Sequence, residues 1–261
     1  MELFVTDLDG TLLYKENEVK ESTAELVKEM QKNGIKVATA TGRILRGVRF
    51  LKEELGLNLD YYVLGNGSVI TDSNFNIIYK RTIDYKIIRA VYEYLENIQL
   101  KGFRNALTNE NVYCLTGKPE NDRPFFHESS IDEIADKEVV SFVTNYEGRD
   151  MKAIEEIAAD MKQKFTEVEV FQNKHFIDVA PKGASKAAGI KTVMEKLGDI
   201  KKLYTIGDSY NDIPMLKMTE NALTQSYCFW ERYYSYPERI RPFKNFEPII
   251  RALKAISPDN D

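Results

Sequence analysis

Leu3-Phe4-Val5-Thr6-Asp7-Leu8-Asp9-Gly10-Thr11 is the stretch on which the reading of this chain turns. A short apolar run, residues 3–6, stops at two carboxylates that flank one leucine, and a glycine follows. A run of that length bounded by turn residues reads as a buried strand. Gly10 permits a sharp turn at its end. In open α/β sheets, ligands sit just beyond the carboxyl ends of strands. Two acids in that place can share a displacement: one attacks, the other moves a proton. Asp-x-Asp-Gly also occurs in calcium loops and in plain acidic turns, so the segment has to be read with its surroundings.

Outward from it, strand and helix signals alternate. Ser22 with Glu25 has the spacing of a capping box, and Gly34 can close the helix it opens. A second strand is predicted over 35–40, a helix over 44–55, and a third strand over 61–64, stopped by Gly65-Asn66-Gly67. Residues 69–70 and 77–80 read as a hairpin. Strands separated by helices in this way indicate parallel βαβ units. After residue 82 the order changes. Helices are predicted over 84–97 and 151–165, and strands over 103–107, 111–115, 139–144, 168–171 and 176–179. That mixture is α+β. Pro181-Lys182-Gly183 ends it, and a helix over 185–197 with a strand over 203–206 restores the alternation. The expected fold is α/β. A Rossmann-like parallel sheet core, residues 1–81 and 182–261, is interrupted by an inserted α+β cap domain, residues 82–181. A last helix is expected over 246–256, and a frayed tail over 257–261.

Three more segments follow strands and carry polar chemistry. Thr41-Gly42-Arg43 offers a hydroxyl and backbone N–H groups suited to a phosphate oxygen; taken alone, Thr41 reads equally as a helix cap. Lys182-Gly183-Ala184-Ser185-Lys186 sets a lysine in the first turn of a helix, against the helix dipole. An anion nearby would account for it, and so would a solvated side chain. Gly207-Asp208-Ser209-Tyr210-Asn211-Asp212 brings two further carboxylates to a strand end. Magnesium takes hard oxygen ligands, and Asp7, Asp208 and Asp212 can supply them. If the fold gathers these acids, their mutual repulsion calls for a cation.

Composition narrows the partners. The chain has 261 residues, 43% hydrophobic and 30% charged, enough to bury a sizeable core, with a net charge of −5. That charge gives no electrostatic footprint for a nucleic acid polymer or an anionic membrane. Two cysteines, Cys114 and Cys228, suit reduced thiols and a cytoplasmic location better than a disulfide scaffold. No signal peptide or membrane-spanning run is apparent. A monomer is expected. His127 and His175 lack metal-ligand spacing and read as structural or surface residues. Lys101, Arg104, Lys174 and His175 are the cap cations within a substrate's possible reach. The aromatic run Tyr227, Trp230, Tyr233, Tyr234 and Tyr236 reads as packing against the last helix.

Taken together and in this order, the four segments resemble the motifs of the haloacid dehalogenase superfamily. Asp7-Leu8-Asp9-Gly10-Thr11-Leu12 is similar to its first motif, Thr41-Gly42-Arg43 to its second, Lys186 to its third, and Gly207-Asp208 with Asn211-Asp212 to its fourth. The interval between the first two leaves no room for a cap, and the insertion lies between the second and third. With Gly65-Asn66-Gly67, this looks like the Cof-like phosphatase subgroup. The resemblance implies a Mg2+-dependent phosphatase acting on a small phosphorylated metabolite through an aspartyl-phosphate. It implies Asp7 as nucleophile and metal ligand, and Asp9 as general acid/base that also offers its backbone carbonyl to the metal. Thr41, Gly42 and Lys186 would hold the phosphoryl group. Asp208 would bind Mg2+, Asp212 would support the metal shell, and Gly10, Thr11, Arg43 and Asn211 would play supporting parts. The chain departs from the subgroup after Leu216, which leaves the substrate open. A phosphotransferase or mutase of the same superfamily, and a non-catalytic binding protein on this fold, are the competing readings.

Overall fold

The computed structural model describes residues 1–15, 17–117, 124–148, 150–225 and 241–243. The 246–256 helix, the 257–261 tail, the aromatic run beginning at Tyr227 and Cys228 lie outside the described residues. In chain order the first elements are β1 (Glu2–Thr6), α1 (Glu21–Lys32), β2 (Ile35–Ala40), α2 (Phe50–Glu53), β3 (Tyr61–Leu64), β4 (Val69–Asp72) and β5 (Ile77–Lys80). The cap contributes α3 (Tyr85–Asn97), β6 (Arg104–Leu107), β7 (Val112–Cys114), β8 (Phe126–Glu128), β9 (Ser141–Asn145), α4 (Met151–Lys164), β10 (Val168–Asn173) and β11 (Phe176–Pro181). The chain then returns with α5 (Lys186–Leu197), β12 (Lys202–Gly207), α6 (Ile213–Leu216), β13 (Asn221–Gln225) and β14 (Arg241–Phe243).

The core sheet runs β14-β13-β12-β1-β2-β3-β4-β5. It is parallel from β14 to β3, and the β4–β5 hairpin adds antiparallel strands at one edge. β1 is central, with Val5 paired to Thr205 on one side and Ala38 on the other. Its residues Leu3, Phe4 and Val5 are buried on both faces, which is why the strand reads as a continuous apolar run. Helix α1 covers one face through Thr23, Leu26, Val27 and Met30, a stripe of helical period. Helix α5 covers the other, where Ile190 and Val193 join Leu3, Val5, Ala38 and Val63.

The cap sheet runs β10-β11-β9-β6-β7-β8 and is antiparallel except for the β7–β8 pair. It carries its own apolar cluster, in which Ile88, Val91 and Leu95 of α3 and Ile154, Ala158 and Met161 of α4 pack with Phe142, Ile177 and Val179 of the sheet. Asp84 and Asp150 cap α3 and α4 by accepting from the backbone N–H of Lys86 and Lys152. The two chain crossings lie side by side, since Arg81 donates to the Lys182 carbonyl. This is the α/β core with an inserted α+β cap read from the sequence.

Two local expectations are corrected. The Ser22–Glu25 capping box does not form: the helix already starts at Glu21, its N-cap is Lys20, and no side chain caps it. Ser22 therefore sits inside the first turn, and Glu21 supplies the favourable negative charge there. The 44–55 helix is reduced to a 3-10 turn at Leu45–Gly47 and the short α2. The Arg46 N–H donates to the carbonyl of Asn109 in the cap at 2.9 Å, while the other backbone bonds of the segment stay local and mostly of the i to i−3 kind. β8, β13 and β14 were not anticipated. Among the described residues no helix is long and apolar enough to cross a membrane.

Candidate active site

Four loops meet at the carboxyl end of the core sheet, because β1, β2 and β12 are adjacent and parallel and the N-terminus of α5 rises beside them. Asp7 follows β1 and is buried, with its N–H held by the carbonyl of Ile206 at 2.8 Å. Lys186, the first residue of α5, is fully buried and donates from Nζ to Asp7 Oδ1 and to Asp212 Oδ1, both at 2.5 Å. Asp212 is also buried, and its other oxygen accepts from the N–H groups of Asp208 and Ser209 at 2.9 and 2.8 Å. That pair of bonds fixes the 207–212 turn. Gly207 has no side chain because a Cβ there would meet Asp212 Cγ at 2.5 Å.

Asp7, Asp208 and Asp212 can each present an oxygen within 4.8 Å of one another. The donors are all hard carboxylate oxygens, which suits Mg2+. The electrostatics agree. Burial, then the neighbouring Asp212, push the Asp7 carboxyl up to about 7, with Lys186 pulling the other way. Burial, then Asp7, push Asp208 up to about 6. Burial also raises Asp212. Lys186 is lowered by burial, but Asp212 and Asp7 outweigh that and leave it raised, hence charged. Lys186 is the buried ammonium of the cluster and the exposed Lys174 lies 3.7 Å from Asp208; the two leave the three acids short of positive charge, which a divalent cation would supply. Gly10, at φ +85°, lets the turn pass this close: a Cβ there would lie 2.7 Å from Asp208 Oδ2.

Asp9 points elsewhere. Arg43 grips it with both arms of the fork, Nε to Oδ2 at 2.9 Å and Nη2 to Oδ1 at 2.5 Å. The same guanidinium donates to Asn17 Oδ1 and the Gly47 carbonyl, so the fork is fixed in place. The Asp9 side chain is half-exposed, so it is open to the pocket mouth. Thr41 is buried beside Gly42, and its Oγ1 accepts from the Arg43 N–H at 3.1 Å. Thr11 is buried, and its Oγ1 has no hydrogen-bond partner among the described residues.

These groups line a cavity of about 360 Å³ that includes Asp7, Asp9, Thr41, Gly42, Arg43, Asp208 and Asn211 from the core. The cap closes it with Leu107, Val143, Asn173, Lys174, Phe176 and Asp178. Of the four cap cations considered from sequence, Lys174 alone lines it, with Nζ 3.7 Å from Asp208 Oδ2. Arg104 is buried, donates to the carbonyls of Leu95 and Leu100, and pairs with Glu96. His127 is exposed and meets Asn111 Oδ1 at 2.8 Å, and His175 stacks on Phe176.

Sequence reasoning passed over Asp178. It is buried on β11, and its Oδ2 accepts from Asn66 Nδ2 at 3.0 Å; Asn66 Oδ1 in turn accepts from Asn211 Nδ2 at 3.2 Å. This chain of side chains joins the cap, the 65–67 turn and the 207–212 turn. Burial raises the Asp178 carboxyl to about 6, against the pull of Asn66. A lone acid inside the apolar run Phe176-Ile177-Asp178-Val179-Ala180 was the signal for it. Ser209 Oγ adds a further bond between core and cap at the site, donating to Asn173 Oδ1 at 3.0 Å.

With this geometry in place, comparison with known proteins fixes the family. A family model described as haloacid dehalogenase-like hydrolase matches residues 4–224. The chain is 30% identical over 220 residues to a 5-amino-6-(5-phospho-D-ribitylamino)uracil phosphatase of Bacillus subtilis, covering 83% of this chain and 80% of the relative. It is 28% identical over 229 residues to a glucosyl-3-phosphoglycerate/mannosyl-3-phosphoglycerate phosphatase of Persephonella marina, covering 81% and 80%. In three dimensions it is similar to a haloacid dehalogenase-like hydrolase from B. subtilis, with a TM-score of 0.82 at 20% identity over 97% of this chain and 99% of the other. The family match spans the core, the insertion and all four motif loops. The chain therefore belongs to the haloacid dehalogenase-like hydrolases, as a phosphoric monoester hydrolase of the Cof-like phosphatase group.

Proposed function

We propose that this protein is a Mg2+-dependent phosphatase that hydrolyses small phosphomonoesters through a phosphoryl-Asp7 intermediate. The observation that carries the reading is the buried cluster in which Lys186 lies 2.5 Å from both Asp7 and Asp212, with Asp208 alongside. Residues 1–81 and 182–261 form the catalytic core in this account, and 82–181 the cap.

The steps follow from the side chains. One oxygen of Asp7 attacks phosphorus, and the bond from phosphorus to the leaving oxygen breaks. Asp9 gives that oxygen a proton, for which its carboxyl has to leave the Arg43 fork. Water then attacks the phosphorus of phosphoryl-Asp7, Asp9 takes the water's proton, and inorganic phosphate departs from a regenerated Asp7. Lys186, Thr41 and the Gly42 backbone hold the non-bridging oxygens, where preorganised donors act most strongly. Mg2+ would be held by Asp7, the Asp9 carbonyl and Asp208, with Asp212 through water, and it would neutralise the approach of a carboxylate to a phosphate dianion. Asp212 suits the indirect role because both of its oxygens are already engaged.

The cap supports the choice of a small substrate, since the cavity it helps to line is about 360 Å³. Substrates named for relatives, a phosphoribitylamino-uracil and a glycosyl-phosphoglycerate, are phosphorylated metabolites of that kind. The test is phosphate release from a panel of such esters after EDTA treatment and after readdition of Mg2+. Activity lost to the chelator and regained with Mg2+ is expected; full turnover by metal-free protein would overturn the metal assignment.

A further inference from the structure

Two lysines stand at the acid cluster, and they are held in opposite ways. The Lys186 side chain is 1% exposed and fixed by contacts of 2.5 Å to Asp7 and Asp212. Lys174 comes from the cap, its side chain is 49% exposed, and its Nζ lies 3.7 Å from Asp208 Oδ2. That ion pair is longer than a good hydrogen bond, and it joins a long flexible donor to an acid that is only 13% exposed. Lys186 cannot leave without stranding two buried carboxylates, whereas Lys174 can turn away into solvent.

The backbone sets Lys174 in place. β10 and β11 form a hairpin whose last pair is Asn173 with Phe176, so Lys174 and His175 are its two-residue turn. Lys174 has φ +54°, in the left-handed region where a Cβ is disfavoured and glycine or asparagine is usual. A lysine held in that conformation points to a use for its side chain. The hairpin tip is pinned beside the acids, because Asn173 Oδ1 accepts from the Oγ of Ser209, the neighbour of Asp208. The oxygen that Lys174 approaches faces the first motif: Asp208 Oδ2 lies 2.7 Å from where a Cβ on Gly10 would stand. Lys174 also lines the reaction cavity with Asp7, Asp9 and Asp208. A divalent cation with a preference for hard oxygens and a tethered single charge repel each other at one carboxylate, and the flexible one gives way.

We propose that Lys174 is a displaceable counter-ion, which stands at Asp208 in the metal-free protein, yields that carboxylate to Mg2+ and turns its ammonium to the anionic ester in the cavity. The inference rests on the phosphatase reading above and names a cap residue that links metal binding to substrate binding. Lys174 opposes the first and favours the second. Loss of a residue with a merely structural role would weaken both.

Mg2+ alone is the probe, titrated calorimetrically into wild type and variants. Lys174→Gln should bind Mg2+ about 3- to 10-fold more tightly, the range of one exposed ion pair. Lys174→Arg keeps the charge and should stay within about 2-fold of wild type. At saturating Mg2+, KM of Lys174→Gln for p-nitrophenyl phosphate should rise about 3- to 10-fold, with kcat changed less than about 2-fold. Displacement itself is read on the wild type without substrate, by amine acylation and peptide mass spectrometry. Saturating Mg2+ should raise labelling of Lys174 severalfold, with Lys152, 83% exposed on α4, as the unchanged reference. Mg2+ affinity that is unchanged or weaker in Lys174→Gln, a KM that does not rise, or Lys174 labelling that Mg2+ does not increase would overturn the proposal. Tighter Mg2+ binding by Lys174→Gln and Mg2+-dependent labelling, with no phosphate released from any ester, would reject only the phosphatase reading.

Discussion

Lys186 Nζ bridges Asp7 Oδ1 and Asp212 Oδ1 at 2.5 Å each, in a setting where all three side chains are buried. One residue of helix α5 thus ties the strand-end acid of the first motif to the turn of the fourth. A positive charge at a helix N-terminus works against the dipole. Here two carboxylates more than offset that conflict.

Removing this ammonium should be costly in two ways. Lys186→Met leaves two buried acids facing each other, and breaking a buried pair costs about 3–5 kcal/mol. We expect a clear fall in thermal stability at pH 8, partly restored by Mg2+, and a loss of activity on the order of 10²-fold or more. Calorimetry and phosphate release measure the two. A variant with wild-type turnover would remove Lys186 from the phosphoryl site.

The acids predict a pH dependence for the metal-free protein. Asp7, Asp178 and Asp208 are all raised by burial, to about 7, 6 and 6. A raised carboxyl binds its proton more tightly when folded. Its contribution is therefore fully present below the unfolded value near 4 and is lost as pH climbs through the folded value. Thermal stability without metal should decline between about pH 4 and pH 7. Mg2+ should flatten that decline by favouring ionised Asp7 and Asp208. A metal-free melting temperature that rises across the interval would contradict the assignment.

Gly10→Ala tests how closely the first motif must pass the fourth. The position has φ +85°, and an added Cβ would meet Asp208 Oδ2 at 2.7 Å. Strain at such a backbone position costs about 1–3 kcal/mol, and the displaced Asp208 should raise the Mg2+ concentration needed for half-maximal activity by on the order of 10-fold. A magnesium titration of phosphate release reads this directly.

Asp178→Ala tests the link between cap and core. It leaves the Asn66 amide buried without its acceptor, a loss of about 1–3 kcal/mol. Because Asn66 also receives Asn211, we expect the KM for small phosphate esters to rise and kcat to fall, with a lower melting temperature. An unchanged kcat/KM would make the contact purely structural.

Much of this was legible in the sequence because each catalytic loop follows a strand with a simple signature. The apolar run before Asp7 and the one before Gly207 are buried on both faces, so their ends were easy to place. The helices expected over 84–97, 151–165 and 185–197 form close to those bounds, with Asp84, Asp150 and Ser185 as their N-caps. What escaped was tertiary. Asp178 looks like an ordinary strand residue until Asn66 is brought to it from more than a hundred positions away. The 44–55 segment reads as one helix, but its backbone closes i to i−3 bonds at Gly47, Val48 and Leu51, and it breaks into a 3-10 turn and the short α2. Arg43 could be placed at a phosphate loop, yet its fork onto Asp9 depends on β1 and β2 lying side by side.

The central claim is that Asp7 carries the phosphoryl group. Asp9→Asn should slow both proton transfers, by about 10²–10⁴-fold with an ordinary ester. With p-nitrophenyl phosphate, whose leaving group needs no proton, attack should still proceed while hydrolysis of phosphoryl-Asp7 stalls. The decisive measurement is acid quenching of Asp9→Asn with that ester and Mg2+, followed by peptide mass spectrometry. The account predicts a hydroxylamine-labile phosphoryl group on the peptide containing Asp7, absent when Asp7 is also replaced by Asn. Steady p-nitrophenol release with no label on that peptide, or activity retained by a folded Asp7→Asn protein, would contradict it.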